Sequence, residues 1–358
     1  MKIWHLISNR WNSAISEYAL SSALACRELG FETLVTPLGA SPIESRFIEK
    51  SFEVQSIDHF GPSRYAKLAA FGAHFLPDII LTYGGPETTA AMFIKGHRKL
   101  IRFHGQRASE QGPWAVFARK FGQLHVDRII TPSSFVADGL RKTTQRPIDI
   151  VPLGCDEQKY FYKEIDRGER PELVIFGRLD PVKGHREFLT MFSRLTEIAK
   201  QKKRLAPLLR IVGLPANLSS RHLLEGAATL GISSQDIEIQ CERITDVAAL
   251  MSKASLGVIP SIGSEVICRV AEEFLLCGTP VVTTNVGSLP EIFVESSFGH
   301  CYGDQDNLEG AARIFHELIN SHGESSAERR ARAQLAASHY SIKKMSETLA
   351  NTISSLLD

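Results

Sequence analysis

Short apolar runs alternate with longer segments of helical period along the chain, a pattern typical of βαβ units on parallel sheets. In the first half, strands are predicted over 3–7, 33–35, 79–82, 100–104, 128–131 and 148–151. A helix predicted over 13–29 lies between the first two strands and is followed by Gly30, which readily takes the left-handed conformation of a helix stop. The first half is therefore predicted to be an α/β domain.

A second series of strands follows the charged segment 156–171, which has no clear period and which we interpret as a linker. These strands are predicted over 173–176, 208–212, 237–240, 256–259 and 281–283. Apolar residues recur every four positions over 342–357, which predicts a last amphipathic helix. The chain is thus divided into domains at 1–165 and 166–340, with a terminal helix in 341–358.

Composition limits the partners of the protein. Its 358 residues suffice for two domains, and 41 basic against 40 acidic residues leave a net charge of only +1. No overall field therefore attracts nucleic acid, and an anionic ligand must be met by local groups.

The six cysteines are scattered without a CxxC pair, which argues against a disulfide framework and fits a reducing cytosol. No segment approaches the roughly 20 apolar residues that span a bilayer, and the start of the chain has no signal-peptide pattern. We expect a cytoplasmic protein whose contact with a membrane, if it has one, is peripheral at the inner face.

The first candidate site is the segment 176–184, where a strand gives way to a turn and a helix. Arg178 offers a fork of donors and Lys183 a compact charge, so a pyrophosphate could bridge the two cations. Ligands bind at the carboxyl ends of strands in open α/β sheets. The competing interpretation is two solvated surface cations beside a turn.

The second candidate site is the segment 260–273, which follows the strand 256–259. Glu265 is expected just before a helix whose first N–H groups, around 266–269, face an anion. Glu273 lies eight residues later, so the two carboxylates can flank one ligand. The competing interpretation is a pair of isolated surface glutamates.

The stretch 264–280, SEVICRVAEEFLLCGTP, with the following 281–291, resembles the donor-site signature of the group-1 family of retaining glycosyltransferases. Gly177-Arg178-Leu179 with Lys183-Gly184 is similar to the family's preceding phosphate motif, and 152–156 to its inter-domain segment. The likeness is strong over 173–295 and weak over 1–100. It implies the GT-B fold, in which two Rossmann-like domains face each other across a cleft. The domain 1–165 would then take the acceptor, 166–340 the nucleotide sugar, and the last helix would return to the first domain.

The resemblance also implies roles for single residues. Arg178 and Lys183 would bind the donor diphosphate, Glu273 the ribose hydroxyls, and Glu265 the transferred sugar. Where relatives have Gly-Phe-Gly, this chain has Val266, Ile267 and Cys268, whose backbone N–H groups would have to reach the donor past their side chains. Arg269 is either a further phosphate contact or a helix-surface arginine.

Three further residues of the first domain are candidates: His104 and Glu87 at predicted strand ends, and His5 inside the first strand. His104 resembles a family histidine that faces the donor, which would make it catalytic together with Glu265; the alternative is a buried strand-end histidine. We expect His5 to be a core or rim residue. Glu87 is expected to be a solvated loop carboxylate.

No Asp-x-Asp motif or His and carboxylate cluster has the spacing of metal ligands, so metal-independent activity without a cofactor is expected. The predicted reaction moves a sugar, with retention, from the donor to a hydroxyl of a saccharide or lipid-linked saccharide. The resemblance suggests bacterial polysaccharide or lipopolysaccharide synthesis. A nucleotide-sugar epimerase of the same fold and a catalytically silent sugar-nucleotide binding protein remain as alternatives.

Overall fold

The computed structural model describes residues 1–11, 13–96, 99–105, 124–263, 265–267, 269–303 and 308–357. The chain forms two compact units. The first unit comprises Met1–Gly154 and Tyr340–Asp358, and the second comprises Cys155–His339.

The first unit contains a parallel sheet with the order β3-β2-β1-β4-β5-β6-β7. Its strands are β1 (Lys2–Ile7), β2 (Glu32–Pro37), β3 (Glu53–Val54), β4 (Ile79–Thr82), β5 (Lys99–Phe103), β6 (Arg128–Thr131) and β7 (Ile148–Ile150). Central strands such as β4 are buried at every residue, which explains why they are continuous apolar runs in the sequence. The helices of this part are α1 (Ala14–Glu28), α2 (Pro42–Glu49), α3 (Tyr65–Phe75), α4 (Gly85–Ala91) and α5 (Ser134–Arg141), with a 3₁₀ turn at Pro62–Arg64.

The second unit contains another parallel sheet, with the order β10-β9-β8-β11-β12-β13. Its strands are β8 (Glu172–Phe176), β9 (Leu208–Val212), β10 (Ile237–Gln240), β11 (Leu256–Ile259), β12 (Val281–Thr283) and β13 (Gly299–Cys301). The helices are α6 (His185–Gln201), α7 (Ser220–Thr229), α8 (Val247–Lys253), α9 (Arg269–Leu276), α10 (Leu308–Gly323) and α11 (Ser326–Tyr340). Short 3₁₀ turns lie at Pro181–Lys183, Leu289–Ile292 and Ser296–Phe298. Phe188, Phe192 and Leu195 of α6 are fully buried against the sheet.

Both sheets have a point where the order of the strands reverses. In the first unit β1 lies between β2 and β4, and in the second unit β8 lies between β9 and β11. The helices that follow the two central strands at such a point leave to opposite faces of the sheet, which opens a crevice at the carboxyl ends. The two crevices are therefore the places where ligands are expected.

The boundary between the units lies earlier than the predicted residue 165. Residues from Cys155 onward make their contacts within the second unit: the Cys155 thiol is 3.3 Å from Glu272 Oε2, and Lys163 Nζ is 2.7 Å from Asp246 Oδ2. The charged segment is thus anchored to the second unit. The last helix, α12 (Ile342–Leu357), packs on α1 of the first unit, with Met345, Leu349 and Ile353 buried.

Candidate functional site

The loop after β8 is a tight turn held by its own side chains. Asp180 accepts hydrogen bonds from the backbone N–H of Val182 at 3.1 Å and from Asn217 Nδ2 at 2.8 Å. Gly184 ends the turn at φ +71°, and a Cβ there would lie 1.8 Å from the carbonyl oxygen of Pro260. Glycine is therefore required, because it lets this loop fit directly against the loop that follows β11.

The same contact brings the two candidate segments together. Ile262 N–H donates to the Val182 carbonyl at 3.0 Å, and Lys183 Nζ lies 2.5 Å from Glu265 Oε1. Ser261 Oγ donates to the same carboxylate oxygen at 2.5 Å. The Glu265 side chain is only 7% exposed while that of Lys183 is 32% exposed, so the pair joins a buried carboxylate to a partly accessible cation.

A third loop fixes the backbone of Glu265. Ser288 N–H donates to the Glu265 carbonyl at 3.0 Å, and Gly287 has φ +62°. A Cβ on Gly287 would lie 1.8 Å from that carbonyl oxygen, so a larger residue would displace the loop. Glu265 is thus held by its neighbours at both its main chain and its side chain.

Arg178 lies on the same β8 loop, with an exposed side chain. Its carbonyl oxygen is 2.9 Å from Nε2 of the buried His185, which must be the protonated nitrogen because a carbonyl can only accept. Burial lowers the pKa of His185, so this imidazole is neutral near pH 7. The main chain of the loop is therefore fixed while its guanidinium stays available to a ligand.

The helix that carries Glu273 begins later than predicted. Helix α9 starts at Arg269 and Glu265–Ile267 are not helical, so the expected helix N-terminus directly after Glu265 is wrong. The reason is local: the Glu265 carbonyl bonds Ser288 N–H instead of starting a helix. Val266 is half-buried and Ile267 is buried, and Cys268 lies outside the described residues.

Glu273 is 1% exposed, and Arg269 Nε lies 2.7 Å from its Oε1. Tyr160 lies close to Glu273, and burial together with the charge of this carboxylate raises the pKa of the tyrosine. The structure therefore uses Arg269 as an ion-pair partner of Glu273. Of the two carboxylates predicted to flank a ligand, each has its own cation, Lys183 for Glu265 and Arg269 for Glu273.

Glu272 is a feature that the sequence did not indicate. It is buried beside Cys155, and burial raises the pKa of its carboxyl group to about 8. The thiol of Cys155 donates to Glu272 Oε2. The only signal in the sequence was the cysteine itself, which stands where the inter-domain segment of the resembled family usually has valine.

The predicted residues of the first unit lie at the carboxyl end of its sheet. His104 directly follows β5, is 5% exposed and donates its backbone N–H to the Ile130 carbonyl at 2.9 Å. His5 is a core residue whose Nδ1 lies 2.7 Å from the Tyr83 hydroxyl, and burial lowers its pKa to about 3, so it stays neutral.

The prediction of a solvated Glu87 is wrong. This carboxylate is 1% exposed and accepts the backbone N–H of Ser8 at 3.1 Å. Burial raises its pKa. The bond spans the two strands of the crevice in the first unit, because Ser8 follows β1 and Glu87 follows β4.

The part of the chain that the structure describes contains neither a metal-binding cluster nor a membrane-spanning helix. No group of three or more His, Cys, Asp or Glu side chains is placed there to hold a metal ion. None of the helices described above is both long and apolar enough to cross a bilayer.

Residues 170–321 match the model of the family described as "Glycosyl transferases group 1". These residues contain both loops of the candidate site in the second unit. The family resemblance predicted from the sequence is thereby confirmed for this part of the chain.

A curated relative, the D-inositol 3-phosphate glycosyltransferase of Segniliparus rotundus, is 28% identical over 182 residues. The match covers 47% of this chain and 40% of that protein, so the alignment spans less than half the length of the relative.

Solved structures are similar over nearly the whole chain. The Anabaena protein Alr3699/HepE in complex with UDP-glucose matches with a TM-score of 0.77 and 17% identity, covering 99% of this chain and 100% of that one. The apo form of the lipopolysaccharide outer core galactosyltransferase WaaB matches with a TM-score of 0.75 and 11% identity, covering 99% of each chain. The prediction of a GT-B fold with two Rossmann-like units is confirmed.

Proposed function

We propose that this chain transfers a sugar from a nucleoside diphosphate sugar, with UDP as the first nucleotide to test, to a hydroxyl of a saccharide or lipid-linked saccharide. The observation that carries the proposal is the Lys183–Glu265 pair beside the exposed Arg178, at the strand reversal of the second unit. Cations and a carboxylate at one crevice suit a ligand with a diphosphate and a polyhydroxylated ring. The UDP-glucose complex of the Anabaena protein supports the choice of nucleotide.

In this proposal Arg178 and Lys183 bind the diphosphate and stabilise the charge that develops on it as it leaves. When the donor binds, the Lys183 ammonium forms hydrogen bonds with the phosphate in place of part of its contact with Glu265. Glu265, released from part of that contact, accepts hydrogen bonds from the transferred sugar. Two protein cations supply the charge that a divalent metal would otherwise supply, so the reaction is proposed to be metal-independent.

The rest of the site follows the same assignment. Glu273 accepts the ribose hydroxyls, with Arg269 and Tyr160 holding its carboxylate in place. The backbone N–H groups of Val266, Ile267 and Cys268 approach the donor. Ile267 stands where relatives have phenylalanine, and its buried side chain does not project into solvent, so at this position the approach to the backbone stays open.

For the chemistry, we propose attack of the acceptor hydroxyl on the same face as the leaving diphosphate, with retention. His104 of the first unit is proposed to act on the donor during this step. A role in bacterial surface glycan synthesis is proposed on the likeness to WaaB, which is named as a lipopolysaccharide outer core galactosyltransferase.

The proposal is tested by binding and turnover together. Thermal shift against UDP, GDP, ADP and their sugars should reveal one stabilising nucleotide, by about 2.7 kcal/mol at 100 times its dissociation constant. Labelled donor is then incubated in EDTA with a pool of saccharide and lipid-linked acceptors. Lys183→Ala should lose both signals, whereas Lys253→Ala, which removes an exposed lysine at the end of α8, should keep them.

The outcomes separate the alternatives. Label in the acceptor fraction supports transfer. Conversion of the donor into an isomer without acceptor identifies an epimerase, and nucleotide binding without any turnover identifies a silent binding protein. No stabilisation by any nucleotide refutes the donor site.

A further inference from the structure

The strand reversal of the first unit has its own crevice, formed by the loops after β1 and β4. The two loops are joined by the hydrogen bond from Ser8 N–H to the buried carboxylate of Glu87. A Cβ on Gly84 would lie 3.0 Å from both oxygens of that carboxylate, so the loop after β4 closes over it. The floor of this crevice is therefore fixed and polar.

Trp11 lies on the same loop after β1, three residues beyond Ser8. It is 75% exposed, the largest exposed fraction among the bulky apolar side chains of the described residues. Its backbone is held on both sides: its N–H donates to Asn9 Oδ1 at 2.9 Å, and its carbonyl accepts from Ser16 Oγ at 2.5 Å. The indole is thus presented to solvent by an ordered turn.

The neighbours of Trp11 indicate what it binds. Ser8, Asn9, Arg10 and Ser13 are all polar, so Trp11 is the single bulky apolar side chain of a segment rich in hydrogen-bonding groups. A bilayer anchor would need several apolar side chains side by side. A pyranose ring has the matching pattern, with C–H groups on its face and hydroxyls around its edge. Burying an indole against such a face removes apolar area from water.

We propose that Trp11 is a stacking platform for a saccharide, bound at the strand reversal of the first unit. On the function proposed above, this saccharide is the acceptor, and Trp11 contributes to the choice of acceptor. The site is separate in sequence from the diphosphate-binding loops, so the two can be tested independently.

The test follows the tryptophan emission of the full chain and compares wild type with variants of Trp11. The full chain has three tryptophans, of which Trp4 is fully buried. Methyl glycosides of glucose, galactose and mannose and their trisaccharides are titrated while tryptophan emission is recorded, and affinities are checked by calorimetry. Trp11→Ala should weaken the best probe by about tenfold, and Trp11→Phe, which keeps an aromatic face, should recover most of the affinity. Phe93→Ala removes another exposed aromatic of the first unit and should change nothing.

Four results would overturn the proposal: no saccharide changes the emission of the wild type, Trp11→Ala binds as well as wild type, Phe93→Ala loses as much affinity as Trp11→Ala, or emission responds to phosphatidylglycerol vesicles but not to sugars. The last result would make Trp11 a membrane contact.

Calorimetry with UDP on the same samples separates this proposal from the proposed function of the donor site. Trp11→Ala should bind UDP as the wild type does. If the wild type itself does not bind UDP, the donor site is refuted, but the result for saccharide binding at Trp11 is unaffected.

Discussion

Glu265→Gln should have opposite effects on nucleotide binding and on turnover. The carboxylate is 7% exposed and lies 2.5 Å from both Lys183 Nζ and Ser261 Oγ. A diphosphate must compete with it for the lysine. Coupling between residues in direct contact is typically about 0.5–3 kcal/mol, so removing the charge should strengthen binding of free UDP by about 2- to 150-fold. The amide remains close in shape to the carboxylate and keeps an acceptor for Ser261.

Turnover should fall in the same variant. A hydrogen bond that a charged group makes is worth about 1.5–3 kcal/mol, which corresponds to about a 10- to 150-fold loss of kcat/KM with the complete donor. Calorimetry with UDP and steady-state kinetics with the UDP-sugar measure the two effects on one preparation.

Glu172→Gln is the matched control, because Glu172 is a buried carboxylate of the same unit, paired with Arg210 at the start of β8. It should cost stability without changing either the affinity for UDP or kcat/KM. A Glu265→Gln protein that is as stable as this control but binds free UDP more weakly than wild type would refute the assignment of Glu265 to the sugar.

Four further predictions concern the same unit. Arg178→Ala and Lys183→Ala should each lose affinity for free UDP and for the donor alike; calorimetry that finds only the donor affected would move the diphosphate elsewhere. Glu273→Ala should weaken UDP by about 1.5–3 kcal/mol, and unchanged affinity would remove the ribose contact from this helix. EDTA should leave turnover nearly intact, and loss restored by magnesium would contradict the two-cation site. Because the pKa of Glu272 is about 8 in the folded chain and near 4.5 in the unfolded one, the folded state retains its proton over that window, and stability should decrease as pH rises from about 4.5 to 8. Glu272→Gln should flatten this part of the profile in urea titrations at fixed pH values, and an unchanged slope would contradict it.

The strands of both sheets could be predicted where apolar runs are buried on both faces. β4 and β6 coincide with the predicted 79–82 and 128–131, and the caps of α1 account for the predicted 13–29. The sequence missed β3 and β13, which have two and three residues and pair at the ends of their sheets. Such short strands leave no period to detect.

The features of the candidate site that could not be predicted from the sequence depend on contacts between residues far apart in the chain. The Lys183–Glu265 bond joins residues 82 positions apart, and the Ser8–Glu87 bond joins residues 79 apart. Motif resemblance singled out Lys183 and Glu265 separately, but nothing in the spacing placed them within hydrogen-bonding distance. Glu87 follows Gly84-Gly85-Pro86, which looks like an exposed turn until Ser8 of another strand covers its carboxylate.

The two strand reversals have the same topology but differ in the charged side chains beside them. This difference supports binding of the donor by the second unit. At the β8–β11 reversal a partly exposed lysine and an exposed arginine stand beside a carboxylate, so a diphosphate finds two cations. At the β1–β4 reversal the buried group is a carboxylate, Glu87, whose raised pKa reflects the cost of placing negative charge there. The β1 loop offers one exposed cation, Arg10, where the second unit offers two, and the ionised form of Glu87 would repel a polyanion but not the hydroxyls of a neutral sugar. The crevice of the first unit, with the exposed Trp11 on its β1 loop, therefore suits an uncharged saccharide ring better than it suits a nucleotide diphosphate.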